Sequence, residues 1–162
     1  MKFSFVHEFD TDVKSYWKLF LSDEFNDALL SALKMKHHKT LKKEDDGTTF
    51  RRSQSMEPTV NIPAMFAKFV PDMNYVEHDT LVWATNTMRI QIDAANPKFK
   101  TSGDYSVTPT GENRCRREFK GEMKIDIMLV GGKMESYAVD EMKKSYDVAS
   151  QVTREWIAKT KS

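Results

Sequence analysis

The segment that follows Gly131-Gly132 constrains the fold most, because it has the pattern of one long amphipathic helix. Apolar residues recur in it at intervals of three, four or seven, namely Met134, Ala138, Met142, Ala149, Val152 and Trp156. Charged residues occupy much of the remaining surface, including Lys133, Glu135, Asp140, Lys143, Lys144, Asp147, Arg154 and Lys159. This spacing predicts a helix of roughly seven turns. Such a helix has to bury its apolar stripe, and the concave face of a twisted sheet is the available surface.

Alternation earlier in the chain predicts that sheet. Residues 2–9 place Phe3, Phe5, His7 and Phe9 on one face of a half-buried strand. Residues 35–126 mostly follow the pattern of strands, which are separated by turn sequences such as Asp45-Asp46-Gly47. A segment with a proline at each end, residues 58–71, interrupts the strands and is predicted to be a short helix or an apolar loop.

Two short helices are predicted between the first two strands. Asp10 or Thr11 can cap the first helix, and Ser22 has the features of an N-cap for the second. The predicted order is therefore one strand, two short helices, about six strands and one long helix. No repeat or linker divides the sequence, so residues 1–162 are interpreted as a single α+β domain.

Composition narrows the classes of function. The net charge is +1, which argues against a nucleic-acid partner, since such proteins normally carry a basic excess. Cys115 is the only cysteine, so no intrachain disulfide can form. The chain shows no signal-peptide pattern and no apolar run long enough to span a bilayer, so we expect a cytoplasmic protein with at most transient membrane contact.

The sequence contains no motif that indicates a metal or a cofactor. His37 and His38 are adjacent, so they would face opposite sides of a strand, and neither a His-Glu-X-X-His motif nor a cysteine pair is present. Gly131-Gly132 is not followed by the Gly-Lys-Ser/Thr end of a P-loop, and we interpret it as a structural turn into the helix. No metal and no cofactor is predicted.

Several short motifs together resemble a known superfamily. They are His7-Glu8-Phe9 with Val13 and Trp17, then Ile62-Pro63-Ala64-Met65-Phe66, then Glu77 and Trp83, then Leu129-Val130-Gly131-Gly132-Lys133-Met134-Glu135, and finally Thr153-Arg154-Glu155-Trp156. Across residues 2–158 the chain resembles the START-like superfamily, also called SRPBCC or helix-grip, and within it a mostly bacterial family of uncharacterised function. The resemblance implies a curved antiparallel sheet wrapped around a long C-terminal helix. It leaves the activity open, because superfamily members bind lipids, transport them, catalyse cyclisations or bind proteins.

A cavity is expected between the sheet and the long helix, because small helices at the ends hold the two layers apart. Ten methionines and ten phenylalanines could supply its walls, since methionine adapts to irregular apolar spaces. We predict that the cavity is lined by His7, Arg52, Gln54, Met65, Phe66, Phe69, Glu77, Trp83, Met88, Ile90, Tyr105, Arg117, Phe119, Met123, Met134, Tyr137, Ala138 and Met142.

Charged residues on the apolar faces of strands need partners. Arg52 and Arg117 fall among apolar residues, and a buried arginine is costly without an anion. Glu77 is predicted to be that anion, with a carboxylate or phosphate of a ligand as the alternative. His7 is interpreted as a core histidine with a satisfied hydrogen bond, ahead of a ligand-binding or acid/base role.

The sequence is compatible with three functions. The first is binding or transport of an apolar or amphipathic, lipid-like small molecule by a monomer or weak dimer. The second is an enzyme of the polyketide cyclase or hydrolase type that uses His7, Glu77, Tyr105 or Arg117 in the same cavity. The third is a protein-interaction module with a filled core. No catalytic residue is assigned, since no Ser-His-Asp order or paired catalytic carboxylates can be argued from the sequence.

Overall fold

The computed structural model describes residues 1–161; Ser162, the last residue of the predicted domain, lies outside the described residues. The elements are β1 (Lys2–Phe9), α1 (Val13–Phe20), α2 (Asp23–Ala32), β2 (Lys36–Asp45), β3 (Thr49–Glu57), α3 (Ala64–Ala67), β4 (Tyr75–Val82), β5 (Thr87–Ala94), β6 (Phe99–Gly111), β7 (Arg114–Ile125) and α4 (Gly131–Thr160). The seven strands form one antiparallel sheet in the order β1-β7-β6-β5-β4-β3-β2. The predicted helix-grip α+β fold is confirmed.

The predicted N-cap of α2 is confirmed, whereas the predicted N-cap of α1 was wrong. Ser22 caps α2 as predicted, since its hydroxyl accepts a hydrogen bond from the backbone N–H of Phe25 at 3.3 Å. Helix α1, however, is capped by Asp12, whose Oδ1 accepts from the backbone N–H of Ser15 at 2.8 Å. The prediction of Asp10 or Thr11 was wrong because a capping side chain serves the N–H two or three residues further on, and the helix begins at Val13.

Helix α4 covers only part of the concave face. It packs chiefly against β7 and β1 and, near its C-terminal half, against α2. Aromatic rings fill this contact: the ring centroids of Phe119 and Tyr146 lie 5.0 Å apart, and those of Phe119 and Tyr105 lie 4.7 Å apart. The concave faces of β3, β4 and β5 therefore lack a long helix packed directly on them.

The entry into α4 differs from the sequence interpretation. The left-handed turn residue is Leu129, with φ of 70°, and both glycines already belong to the helix. Gly131 is needed for a close approach, because a Cβ there would collide with the backbone carbonyl oxygen of Ile125. Gly132 has open space around it. The pair therefore does not form the turn, and only its first member is sterically required.

A second close approach lies within the sheet, where Gly103 of β6 is paired with Gly121 of β7. A Cβ on Gly121 would collide with the carbonyl oxygen of Ser102 and lie 2.6 Å from Cζ of Phe3. A Cβ on Gly103 would lie 2.5 Å from Cε2 of Phe119. Two core phenylalanine rings therefore lie directly over this glycine pair.

Within residues 1–161, none of the helices combines the length and the apolar character that crossing a membrane requires.

The glycine contacts predict a contrast in stability. Gly121→Ala should lower the free energy of unfolding by about 2–3 kcal/mol, because backbone and a packed ring block the added methyl group. Gly132→Ala is the matched control and should leave stability unchanged or raise it by up to about 1 kcal/mol, since alanine favours helix. Urea unfolding of both variants measures the difference. Equal effects would contradict the close approach at Gly121.

Candidate functional site

A cavity of about 350 Å³ lies between α4 and the concave face of the sheet. Its volume falls within the range of roughly 300–1,000 Å³ that small-molecule sites occupy. The walls come from β3 to β7, from α2 and α4, and from the connection between β3 and β4, which contains α3.

Most of the residues that were predicted to line a cavity lie on its wall. The apolar ones are Phe66, Met88, Ile90, Phe119, Met123, Met134, Ala138 and Met142. The polar ones are Arg52, Gln54, Glu77, Tyr105 and Tyr137. Side chains alternate between the two faces of a strand, and they recur on one face of a helix every 3.6 residues. These periods place the side chains of the strands and of α4 on the inner face. Their contact with a ligand stays a prediction.

Three predicted apolar wall residues lie elsewhere. Met65 is 57% exposed on the outer side of α3, whereas its neighbour Phe66 is buried, because successive residues of a helix face different directions. Phe69 packs half-buried in the small core around Phe66 and does not reach the cavity. Trp83 lies just past the end of β4, where its indole N–H donates to Oδ1 of Asp45, the last residue of β2, at 3.0 Å.

His7 and Arg117 are also absent from the cavity wall, because they form a separate cluster between β1, β7, α1 and α4. Arg117 is 1% exposed and donates from Nη1 to the hydroxyl of Tyr16 and from Nη2 to Nδ1 of His7, each at 3.2 Å. Its guanidinium lies over the ring of Phe9, 5.0 Å from the centroid. Nε2 of His7 lies 3.0 Å from Oδ1 of Asp147 on α4.

The predicted pairing of Arg117 with Glu77 was therefore wrong. Two neutral acceptors and aromatic ring faces stabilise this cation, which removes the need for a carboxylate in direct contact. The interpretation of His7 as a hydrogen-bonded histidine next to the core agrees with these contacts. Because Nδ1 accepts from Arg117, the ring proton sits on Nε2 and is donated to Asp147.

Arg52 has a carboxylate partner, but it is Asp79 and not Glu77. Nε and Nη2 of Arg52 donate to Oδ2 of Asp79 at 3.1 and 3.0 Å, and the two side chains are 4% and 0% exposed. The reason is register: Arg52 on β3 lies directly opposite Asp79 on β4, whereas Glu77 lies opposite Gln54. Directly opposed side chains are the closest across an antiparallel pair.

Glu77 shares the inner face of β4 with Asp79 and lies on the cavity wall. Burial raises the pKa of Glu77 well above its ordinary range, and the neighbouring charge of Asp79 raises it further, against the opposing effect of Arg52. Oδ1 of Asp79 is buried and has no hydrogen-bond donor while both carboxyl groups are ionised. We therefore place a proton on Glu77, which can donate it to Asp79.

Sequence reasoning missed the cavity wall that α2 supplies. Asn26, Leu29, Leu30 and Leu33 all line the cavity, and Nδ2 of Asn26 donates to Oε1 of Gln54 at 2.7 Å. A signal was present, since the residues after Asn26 at three, four and seven positions are leucines, which places a polar side chain on the apolar stripe of the helix.

Two hydroxyl groups join the opposite wall. Tyr105 of β6 and Tyr146 of α4 lie beside the cavity, with their ring centroids 5.8 Å apart. Burial raises the pKa of both phenols, so both stay neutral and act as uncharged hydrogen-bonding groups. Among residues 1–161, no group of three or more His, Cys, Asp or Glu side chains is placed to hold a metal ion.

The Arg52–Asp79 pair predicts a loss of stability that depends on pH. Arg52→Met should lower the free energy of unfolding by about 3–5 kcal/mol at pH 8, because it leaves Asp79 as a buried charge without its cation. The loss should shrink as the pH falls, since protonation of Asp79 relieves it. Arg89→Met is the control: its pair with Asp104 is also cross-strand but 48% and 50% exposed, and should contribute about 1 kcal/mol or less. Equal losses in both variants would contradict the buried pair.

His7 predicts a second pH effect. Burial lowers the pKa of His7 below 6.5, with a further contribution from Arg117, while Asp147 opposes the shift. The unfolded chain therefore binds a proton near pH 6.5 that the folded protein takes up only at lower pH, so stability falls as the pH drops below about 6.5. In His7→Gln this part of the pH dependence should vanish. Thermal unfolding of both proteins from pH 8 to pH 5 measures it, and parallel curves would contradict the assignment.

The model of a family described as "Protein of unknown function (DUF2505)" matches residues 4–157. Among curated proteins, no sequence matches the chain.

Solved structures share the fold at low sequence identity. The Zhui aromatase/cyclase from a Streptomyces species has a TM-score of 0.70 and 8% identity, with 96% of this chain and 92% of that chain covered. A START superfamily protein from Mycobacterium smegmatis has a TM-score of 0.61, 13% identity, and coverage of 96% and 98%. A norcoclaurine synthase variant from Thalictrum, in complex with a transition-state analogue, has a TM-score of 0.66, 12% identity, and coverage of 100% and 96%.

These similarities establish the START-like fold that the motifs predicted, and they carry no activity over to this chain. The family match spans nearly the whole sequence. The protein therefore belongs to the DUF2505 family and has a START-like, helix-grip fold.

Proposed function

We propose that the protein binds or carries an apolar or amphipathic, lipid-like small molecule in the cavity between the sheet and α4. The observation that carries the proposal is a cavity of about 350 Å³ whose wall is mostly aliphatic and aromatic, with a small polar group on β3, β4 and α2. Such a combination is typical of ligand sites, where apolar contact supplies affinity and a few polar groups orient the ligand.

The energetics favour an apolar ligand. Each methylene group that moves from water into the cavity contributes about 0.8 kcal/mol, before the cost of association. Methionine side chains such as Met88, Met123 and Met142 line the wall and adapt to ligands of differing shape.

Entry is proposed to occur at the end formed by residues 58–71 and by the β5–β6 loop. These two segments are linked by the side chain of Asn96, whose Nδ2 donates to the carbonyl oxygen of Phe69 at 3.3 Å. The hydroxyl of Tyr137 on α4 donates to the carbonyl oxygen of Asn61. Opening this end breaks few hydrogen bonds, and we propose that it is the gate.

The cyclase-type alternative keeps only part of its predicted machinery. Glu77 and Tyr105 lie on the cavity wall, but His7 and Arg117 do not. A carboxyl group with a raised pKa beside a cavity is suited to act as an acid, which is the observation in favour of catalysis.

The interaction module with a filled core is disfavoured by the cavity. The proposal retains a monomer or weak dimer in the cytoplasm, where the buried free thiol of Cys115 stays reduced.

A larger side chain inside the cavity should weaken binding. Ala138 lies on α4 with its side chain at the cavity wall, so Ala138→Trp should weaken binding of an apolar fluorescent dye by about tenfold or more. The control Ser136→Trp adds the same side chain to an exposed position of the same helix and should bind the dye as the native protein does.

Dye titration, native mass spectrometry and solvent extraction of the purified protein test the proposal together. The expected result is saturable binding that Ala138→Trp loses while its circular dichroism is retained. No bound molecule and no saturable binding of dye or lipids by the native protein would overturn the proposed function.

A further inference from the structure

Three ionisable side chains meet at one wall of the cavity. Arg52 is paired with Asp79, and Glu77 lies two residues before Asp79 on the same face of β4. One cation therefore faces two carboxyl groups, and this triad has a net charge of zero when one of the carboxyl groups holds a proton. In the described part of the chain, Arg52 is the only cationic residue on the cavity wall.

A buried atom supports the position of that proton. Oδ2 of Asp79 accepts both hydrogen bonds from Arg52, whereas Oδ1 is buried and lacks a donor if every carboxyl group is ionised. An orphaned carboxylate oxygen in a buried place is costly. A proton on Glu77, donated to Oδ1 of Asp79, removes that cost, and the burial that raises the pKa of Glu77 favours the same protonation state.

The proton also decides what Glu77 presents to the cavity. With its hydroxyl turned to Asp79, Glu77 offers its carbonyl oxygen as an acceptor. Gln54 lies directly opposite on β3, and its Oε1 already accepts from Asn26, which leaves the N–H groups of Gln54 as donors. A neutral acceptor and a neutral donor thus stand side by side.

We propose, on the basis of the proposed function, that the ligand's polar end is an uncharged hydroxyl group bound by Glu77 and Gln54, and that the cavity rejects amphiphiles with a carboxylate or phosphate head group. The hydroxyl donates to the carbonyl oxygen of Glu77 and accepts from Nε2 of Gln54. A carboxylate or phosphate head would be buried without a free cation, because Asp79 already neutralises Arg52.

The surroundings of Glu77 favour the same choice. The other titratable side chains on the wall are the phenols of Tyr75, Tyr105, Tyr137 and Tyr146 and the carboxyls of Asp72 and Glu141. Burial raises the pKa of the phenols of Tyr75, Tyr105 and Tyr146, so these three stay neutral. Glu141 is paired with Lys144 at 2.6 Å. None of these groups would offset an anionic head, and all of the hydroxyls are compatible with an uncharged one.

A matched series of twelve-carbon probes tests the proposal: 1-dodecanol, dodecanoate and dodecylamine, each displacing an apolar dye at pH 7 below its micelle concentration. Dodecanol should bind about tenfold or more tightly than dodecanoate. Dodecanoate affinity should rise as the pH is lowered from 8 to 5, since it must enter protonated. Dodecanol affinity should stay constant as the pH is lowered from 7 to 6, because a triad that already holds its proton takes up no other one.

Variants separate the neutral acid from a charged one. Glu77→Leu should weaken dodecanol by about tenfold, because its hydroxyl loses its acceptor. Glu77→Gln should leave the ratio of dodecanol to dodecanoate affinity within about threefold, since an amide reproduces the neutral acid. Glu122→Gln, the same change at an exposed position of β7, should change nothing. Circular dichroism confirms that each variant is folded.

The outcomes are distinct. Dodecanoate binding as tightly as dodecanol, or Glu77→Gln raising dodecanoate affinity selectively, would show an ionised or irrelevant Glu77 and would overturn this inference alone. Tighter dodecylamine binding with release of a proton, lost in Glu77→Gln, would show a cation site and would also overturn it. If the dye and every probe fail to bind, the proposed function falls as well.

Discussion

The concave face of the sheet is larger than the area that α4 covers, and the rest of the structure depends on this difference. Seven strands form the sheet, but α4 packs chiefly on β1 and β7 and on α2. The concave faces of β3, β4 and β5 are consequently left to line a cavity instead of a helix interface. The glycine pair at positions 103 and 121 allows close packing in the half of the sheet that α4 covers. Two core phenylalanine rings occupy the space that side chains at these positions would fill.

The polar residues of the cavity follow from the same difference. A helix packed on β3 and β4 would demand apolar side chains there, whereas a cavity tolerates polar ones if they satisfy each other. Arg52 and Asp79 do so through a buried ion pair, and we propose that Glu77 does so through a proton that it donates to Asp79. A wall that is neutral in this way does not compensate for the desolvation of an anionic head group.

Sequence reasoning reached the fold because periodicity is a local property: the spacing from Met134 onward predicts α4 regardless of what it contacts. It failed where strand register decides. Glu77 and Asp79 are two residues apart on one face, so the pattern alone could not choose between them as the partner of Arg52. Nor could it foresee that Arg117 would be held by a tyrosine hydroxyl, a histidine and aromatic rings, since α1 supplies that hydroxyl from a distant part of the sequence.

A crystal structure of the protein with 11-bromo-1-undecanol, in which anomalous scattering locates the bromine, would show where an uncharged amphiphile binds. We expect a bromine peak inside the cavity, with the hydroxyl oxygen at hydrogen-bond distance from Glu77 and Gln54. A bromine peak only on the outer surface, or a hydroxyl that points to the gate and away from Glu77, would contradict it.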